Sequence, residues 1–313
     1  MKKVSKVILI VITSLFLLLL ASLSLHCVNE SKESTLINPI GFSVTVDNGQ
    51  MSIDTEGDGD KTLVFLSGGG TCSPILDFKS LYSTLSDKYK IVVVEKFGYG
   101  FSDIIPRSRD INVILSDTRE ALQKANIKGP FILVPHSMSG IEALYWAQSY
   151  PSEVEAIIGL DMATPFHYEN YKFSIPAIYT LSTIHQLGLT RLIPGIWKGD
   201  CVKYGTLTEE EKEQYRMIFF AKSLTKNMRD EAKCLLDNVE VVRNRSYPNI
   251  PILMIVSNGK GTGMKKEIWQ GCSRTFQEHD SNCEIIEYDV PHYIHDYKYN
   301  EISEDIDNFI EIL

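Results

Sequence analysis

Hydrophobic and polar positions repeat with two different periods along this chain, and a third, unbroken apolar stretch precedes both. Residues 7–25 carry no charge and follow Lys2, Lys3 and Lys6. A run of that length is enough to span a bilayer. After a polar connection at 29–38, alternation over 41–46 and 51–55, separated by Asp47-Asn48-Gly49, predicts a β-hairpin. Short β-rich apolar runs at 62–66, 91–94, 131–134, 156–160, 250–256 and 284–288 then read as buried strands. Between most of them, residues 76–85, 111–125, 141–149, 265–278 and 302–312 carry helical periodicity. Such alternation predicts an α/β fold with a mostly parallel sheet covered by helices on both faces.

The interval from 161 to 248 is too long for one crossover, and it mixes helix formers with Phe166, Tyr168, Tyr171, Phe173, Tyr179, Trp197, Phe219 and Phe220. It reads as a helical cap inserted into the sheet domain. Its aromatic residues either line a substrate pocket or pack the cap itself. The expected organisation is an N-terminal membrane anchor or signal segment at 1–28, a core made of 41–161 and 248–313, and a cap at 162–247.

Composition narrows the picture. A chain of 313 residues with 44% hydrophobic content can bury a large core. Its 31 basic and 40 acidic residues give a net charge of −9, with the basic residues scattered, so nucleic acid is not an expected partner. The apolar run is long for a secretory signal, and small-x-small cleavage sites are limited to weak candidates such as Ser22-Leu23-Ser24. An uncleaved anchor is therefore favoured, with the basic flank inside and the remaining chain extracytoplasmic. Cleavage would instead give a secreted protein. Cys27 follows His26, a poor fit to a lipoprotein signal, and reads as a membrane-proximal cysteine. An oxidising exterior would permit bridges, and Cys272 with Cys283 and Cys201 with Cys234 are the pairs suggested by proximity in the chain. Cys72 would then be a single buried residue near the site. No Cys-x-x-Cys or histidine-rich cluster is present in the sequence, and neither a metal nor a cofactor is expected.

Pro135-His136-Ser137-Met138-Ser139-Gly140 stands between a predicted strand and a predicted helix. A serine on such a sharp turn has its hydroxyl lifted clear of the sheet, provided its neighbours two before and two after are small. Ser137 is the candidate nucleophile. Its hydroxyl needs a positioned base, and the base needs an orienting group. His292 and His295 follow the last predicted strand, where open α/β sheets place their sites. His292 comes first and is preferred as the base, while His295 supports the following helix. Asp161 closes the 156–160 strand, at the same sheet edge as Ser137; it is the candidate acid, the competing use being a turn or helix cap. The corresponding position after 250–256 offers Ser257, Asn258, Gly259 and Lys260 but no carboxylate. For the oxyanion, the backbone N–H of Met138 and one from Ser67-Gly68-Gly69-Gly70 are the candidate donors, with Gly69 preferred and Gly70 as the alternative. A phosphate-binding reading fails because no Gly-Lys-Ser/Thr ending follows the glycines.

In this order the segments resemble the α/β-hydrolase superfamily, from about residue 41 to the C-terminus. Phe65-Leu66-Ser67-Gly68-Gly69-Gly70 is similar to its oxyanion loop, with Ser67 where a histidine is usual. Glu95-Lys96-Phe97-Gly98-Tyr99-Gly100-Phe101-Ser102-Asp103 is similar to its Asp-x-x-Gly-x-Gly-x-Ser segment. Pro135 to Gly140 resembles the nucleophile elbow, and Pro291-His292-Tyr293-Ile294-His295 the region of the catalytic histidine. The resemblance implies an eight-stranded sheet and the order nucleophile, acid, histidine. An acid on the very next strand, as Asp161 would be, resembles the haloalkane-dehalogenase-like subset. Dehalogenases and epoxide hydrolases of this fold use aspartate where this chain has Ser137, so the resemblance implies an ester, thioester or amide substrate. The expected activity is that of a carboxylesterase-like serine hydrolase acting on a small molecule through an acyl-enzyme. A proline-iminopeptidase-like aminopeptidase acting on peptides, and a non-catalytic binding module of the same fold, are the alternatives.

Overall fold

The computed structural model describes residues 2–169, 171 and 174–313. Its elements in chain order are α1 (Lys2–Glu33), β1 (Phe42–Val46), β2 (Gly49–Glu56), β3 (Thr62–Leu66), α2 (Pro74–Asp77), α3 (Lys79–Leu85), β4 (Lys90–Glu95), α4 (Ile111–Lys124), β5 (Phe131–Pro135), α5 (Ser139–Ser149) and β6 (Val154–Leu160). The interval between sheet strands then holds α6 (Ile175–Gln186), α7 (Asp200–Lys203), α8 (Glu209–Lys222) and α9 (Lys226–Arg243). The chain closes with β7 (Ile252–Val256), α10 (Lys266–His279), β8 (Cys283–Glu287), α11 (Ile294–Tyr297) and α12 (Tyr299–Glu311).

The eight strands form one sheet in the order β1-β2-β4-β3-β5-β6-β7-β8, antiparallel at the hairpin and its junction with β4, and parallel from there on. Period-two alternation explains its two-sided burial. Val64, Leu66, Leu133 and Ile157 pack into one core layer, while Leu63, Phe65, Ile132 and Ile158 pack into the layer opposite. Because both faces are covered, the central strands read as continuous apolar runs rather than alternating ones.

Three expectations are corrected. The helix that begins at the N-terminus does not give way to a polar connection at residue 29 but continues to Glu33. The reason is distant in sequence: the Glu33 carboxylate accepts from Arg191 at 2.6 Å and from Arg216 at 2.9 Å, so this end of the helix is fixed against the interval that follows β6. The helix expected over 76–85 breaks at Phe78, which ends α2 and precedes α3. None of the six cysteines is bridged. Cys201 is packed with Cys72, Leu76 and Tyr215, whereas Cys283 belongs to a different core layer.

The motif segment after β4 is fixed by its own first residue. The buried Glu95 carboxylate accepts from the backbone N–H of Phe101 at 2.6 Å and of Ile75 at 3.3 Å, and Ser102 Oγ donates to the Glu95 carbonyl at 2.6 Å. Burial pushes the Glu95 carboxyl up to about 7. Its neighbour Lys96 points into a buried ionic cluster, where Glu231 of α9 accepts from Lys96 at 2.6 Å and from Arg109 at 2.5 Å. Burial opposes ionisation of Glu231, but the Arg109 and Lys96 cations prevail and bring its carboxyl down to about 2.

This cluster joins α9 to the sheet domain, and removing one partner leaves buried charges uncompensated. Glu231→Gln is expected to lower unfolding free energy by about 3–5 kcal/mol, read from the denaturant midpoint of the full chain in detergent. The folded-state pKa is depressed, so the stabilisation is present in full above the ordinary carboxylate range and is lost as pH falls from there towards about 2. The gap between parent and variant should narrow across that window.

Candidate active site

Ser137 follows β5 in a left-handed backbone conformation, φ +54°, which a residue with a Cβ adopts only at a cost. Its neighbours hold it there. The Ser137 carbonyl accepts from Gly140 N at 3.0 Å and from Ala163 N at 2.8 Å, and Ser139 Oγ donates to the carbonyls of Leu66 and His136. Gly68 passes so close that a Cβ there would stand 2.8 Å from the Ser137 Cβ, which is why the loop after β3 needs a glycine at that point.

Asp161 directly follows β6, also with positive φ, +48°. Its backbone N–H donates to the Ile255 carbonyl at 2.7 Å, stitching the ends of β6 and β7. His292 follows β8, and its N–H donates to the Lys260 carbonyl at 2.9 Å. The three side chains form one hydrogen-bonded chain. His292 Nδ1 lies 2.5 Å from Asp161 Oδ2, and His292 Nε2 lies 2.8 Å from Ser137 Oγ. With the carboxylate holding the Nδ1 proton, Nε2 presents a lone pair to the serine hydroxyl. His295 is elsewhere: it is fully buried, with Nε2 3.2 Å from Asp77 Oδ2.

The second carboxylate oxygen carries partners that sequence reasoning did not identify. Asp161 Oδ1 accepts from the Ser257 backbone N–H and from the Trp269 indole N–H, each at 2.7 Å. Trp269 lies on the buried face of α10, where an indole reads as ordinary core, so its polar use left no sequence signal. The Trp269 ring also meets His292 edge-on at 5.4 Å. Two further histidines line the site as neutral groups. Burial brings His167 down to about 4, and burial, followed by the neighbouring histidines, holds His136 well below its ordinary range.

Ser137 and His292 open into a cavity of about 300 Å³. Gly69, Gly70 and Met138 all line it. Ile178, Leu224, Met228, Leu235 and Met264 supply apolar wall, and no Asp, Glu, Lys or Arg lines the cavity among the described residues. Of the aromatic residues expected either at the pocket or in cap packing, Tyr168 and Tyr171 face the cavity. Phe219 and Phe220 pack around His185, Trp197 packs beside Cys201, and Phe173 lies outside the described residues.

One group of potential metal ligands lies nearby. Asp77, His295 and Asp296 bring donor atoms within 4.8 Å of one another, all buried. Both Asp296 oxygens lack hydrogen-bond partners among the described residues. Burial, followed by the Asp77 and Asp200 charges, drives its carboxyl well above the usual range.

Comparison with known proteins agrees with this architecture. A family profile described as alpha/beta hydrolase fold matches residues 61–177. YbdG, an uncharacterized protein of Bacillus subtilis (strain 168), is 41% identical over 242 residues, which cover 74% of each chain. Among solved structures, an epoxide hydrolase of Bacillus megaterium superposes with a TM-score of 0.64 at 20% identity, covering 86% of this chain and 100% of that one. A structure from a study of carboxylesterases of Nitrososphaera gargenis gives 0.60 at 16% identity, covering 87% and 97%.

The hydrogen bond from Trp269 to the buried Asp161 carboxylate is charge-assisted. Trp269→Phe is expected to destabilise the fold by at least about 1.5–3 kcal/mol, measured by chemical denaturation, since the indole donor is lost and the smaller ring fills less of the buried site.

Proposed function

Since the chain belongs to the α/β-hydrolase superfamily, we propose that it is a serine hydrolase that cleaves a carboxylester or thioester through an acyl-enzyme on Ser137. The observation that carries this reading is the unbroken hydrogen-bonded chain from Asp161 through His292 to Ser137, ending at the floor of an apolar cavity. In the proposed reaction His292 Nε2 takes the hydroxyl proton as Ser137 Oγ attacks the substrate carbonyl carbon. The oxyanion is held by the Gly69 and Met138 N–H groups. The tetrahedral adduct collapses as His292 returns the proton to the departing alkoxide or thiolate. Water, deprotonated by the same imidazole, then attacks the acyl-enzyme, and the carboxylic acid leaves as Ser137 regains its proton. Asp161 fixes the tautomer and stabilises the imidazolium throughout.

A serine at this position favours acyl transfer over epoxide opening, whatever the structural likeness to an epoxide hydrolase. The uncharged cavity wall favours a neutral, apolar acyl group. An aminopeptidase would need acidic side chains to hold a substrate ammonium group. Residues 162–247 act as the cap, roofing the cavity through Tyr168, Tyr171 and Ile178.

The support for a membrane-anchored location is the N-terminal helix, of which the segment Val4–Glu33 is long and apolar enough to cross a membrane. With Lys2, Lys3 and Lys6 on the inner side, the hydrolase domain faces outward. The bond from Ser22 Oγ to the Leu187 carbonyl, which cleavage after Ser24 would remove, favours a retained anchor over a cleaved signal.

Labelling of the full chain with a fluorophosphonate probe tests the reaction. The parent should label, Ser137→Ala should not, and Asp161→Asn should label on the order of 10³- to 10⁴-fold more slowly. A folded parent that does not label would remove the hydrolase reading and leave a binding module.

A further inference from the structure

The exposed side of α6 differs from the other long cap helices. The sequence carries no Asp, Glu, Lys or Arg from Ser174 to Thr190, although Pro176, Ala177, Thr180, Leu181 and Thr183 are exposed. By contrast, α8 and α9 are dense in charge, as solvent-facing helices of a soluble domain are. Leu181 on α6 is 55% exposed, and past the helix Leu192 is 66% and Ile193 53% exposed, with Ile196 exposed as well. Exposed aliphatic residues singly need no explanation, but several gathered on one helix without charged residues and on the segment after it mark a surface made for an apolar partner.

Its position identifies that partner. Ser22 of α1 donates to the Leu187 carbonyl at 2.9 Å, and Arg191 Nε donates to His26 Nδ1 at 2.9 Å. Gly188, with φ +74°, lets the chain pass so close that a Cβ would meet the His26 Cβ at 2.6 Å. Ser22 belongs to the last turn of the uncharged run at 7–25, so the turn after α6 touches the anchor where its apolar segment ends. A helical turn rises about 5.4 Å, so residues 187–193 lie within about one turn of the bilayer boundary. The opposite side of α6 faces inward, where Ile178 lines the cavity above Ser137.

We propose that α6 and residues 189–196 rest in the outer lipid interface, and that the site takes an ester or thioester whose alkyl chain is dissolved in the bilayer. The helix then forms the partition between lipid and cavity, and a chain-bearing substrate enters past it without crossing water. This inference rests on the serine-hydrolase reading of Ser137 and supplies its substrate class.

The test uses the full chain reconstituted in phosphatidylcholine vesicles, with 4-methylumbelliferyl acetate as the water-soluble ester and 4-methylumbelliferyl oleate dissolved in the same vesicles. The double variant Leu192→Glu with Ile193→Glu places charge on two exposed positions outside the cavity, and its melting temperature should match the parent's. Oleate turnover is expected to fall by at least about tenfold, while acetate turnover and fluorophosphonate labelling stay within about twofold. Oleate turnover unchanged by the two charges, or a parent that hydrolyses acetate but never the oleate, overturns the lipid-facing cap and leaves the hydrolase standing. A parent that labels with no probe and turns over neither ester overturns both.

Discussion

The left-handed backbone of Ser137 is the constraint around which the rest of the site is arranged. A residue with a Cβ held at φ +54° stores on the order of 1–3 kcal/mol, which persists only if the surroundings over-determine it. They do so from three directions. The loop after β3 presses Gly68 against the serine, the segment after β6 donates Ala163 N–H to its carbonyl, and the first turn of α5 ties Ser139 back to Leu66. Asp161 is strained in the same sense, and its backbone N–H reaches the Ile255 carbonyl. The ends of β3, β5, β6 and β7 are thus linked through the two residues that hold unfavourable conformations. Strain is concentrated where the hydrogen-bonded chain to His292 begins and ends, and the parallel sheet, buried on both faces, offsets it.

Charge and apolar packing divide the attachment of the cap between them. The Glu231 cluster and the apolar contact of Cys72 and Leu76 with Cys201 and Tyr215 bind it at separate places. Neither reaches the cavity, whose cap-side wall is built from uncharged residues. Buried ion pairs contribute little net stability against an apolar replacement, but they tolerate little misplacement. The cap is therefore seated by interactions that specify its orientation, while the surface it offers the substrate stays free of charge.

Much of this was legible in the sequence, and the reason is local. Strands buried on both faces leave apolar runs that need no tertiary information to recognise, and Ser137 and Asp161 each follow such a run, while His292 follows the half-exposed edge strand β8, so their shared sheet edge follows from topology. The features that were not legible depend on partners far along the chain. Trp269 on α10 looks like core until Asp161 is found beneath its indole N–H. The extension of α1 to Glu33 requires Arg191 and Arg216, and the pairing of cysteines by proximity failed because Cys201 folds against Cys72 of the sheet domain instead. The aromatic residues of the cap divide between cavity and packing by their tertiary placement, which spacing alone does not give.

The relation between α1 and the cap changes what the fold implies. In a soluble α/β hydrolase, a cap helix with an uncharged outer face would be a liability for aggregation. Here that face begins where an apolar N-terminal helix makes polar contacts with the cap, through Ser22, His26 and Glu33. Those contacts fix the azimuth of the domain about the helix, which a flexible linker would leave free. In the proposed lipid-facing arrangement, a fixed azimuth keeps one side of the domain against the surface from which the helix emerges. The side so held carries α6, and behind α6 lies the cavity that ends at Ser137.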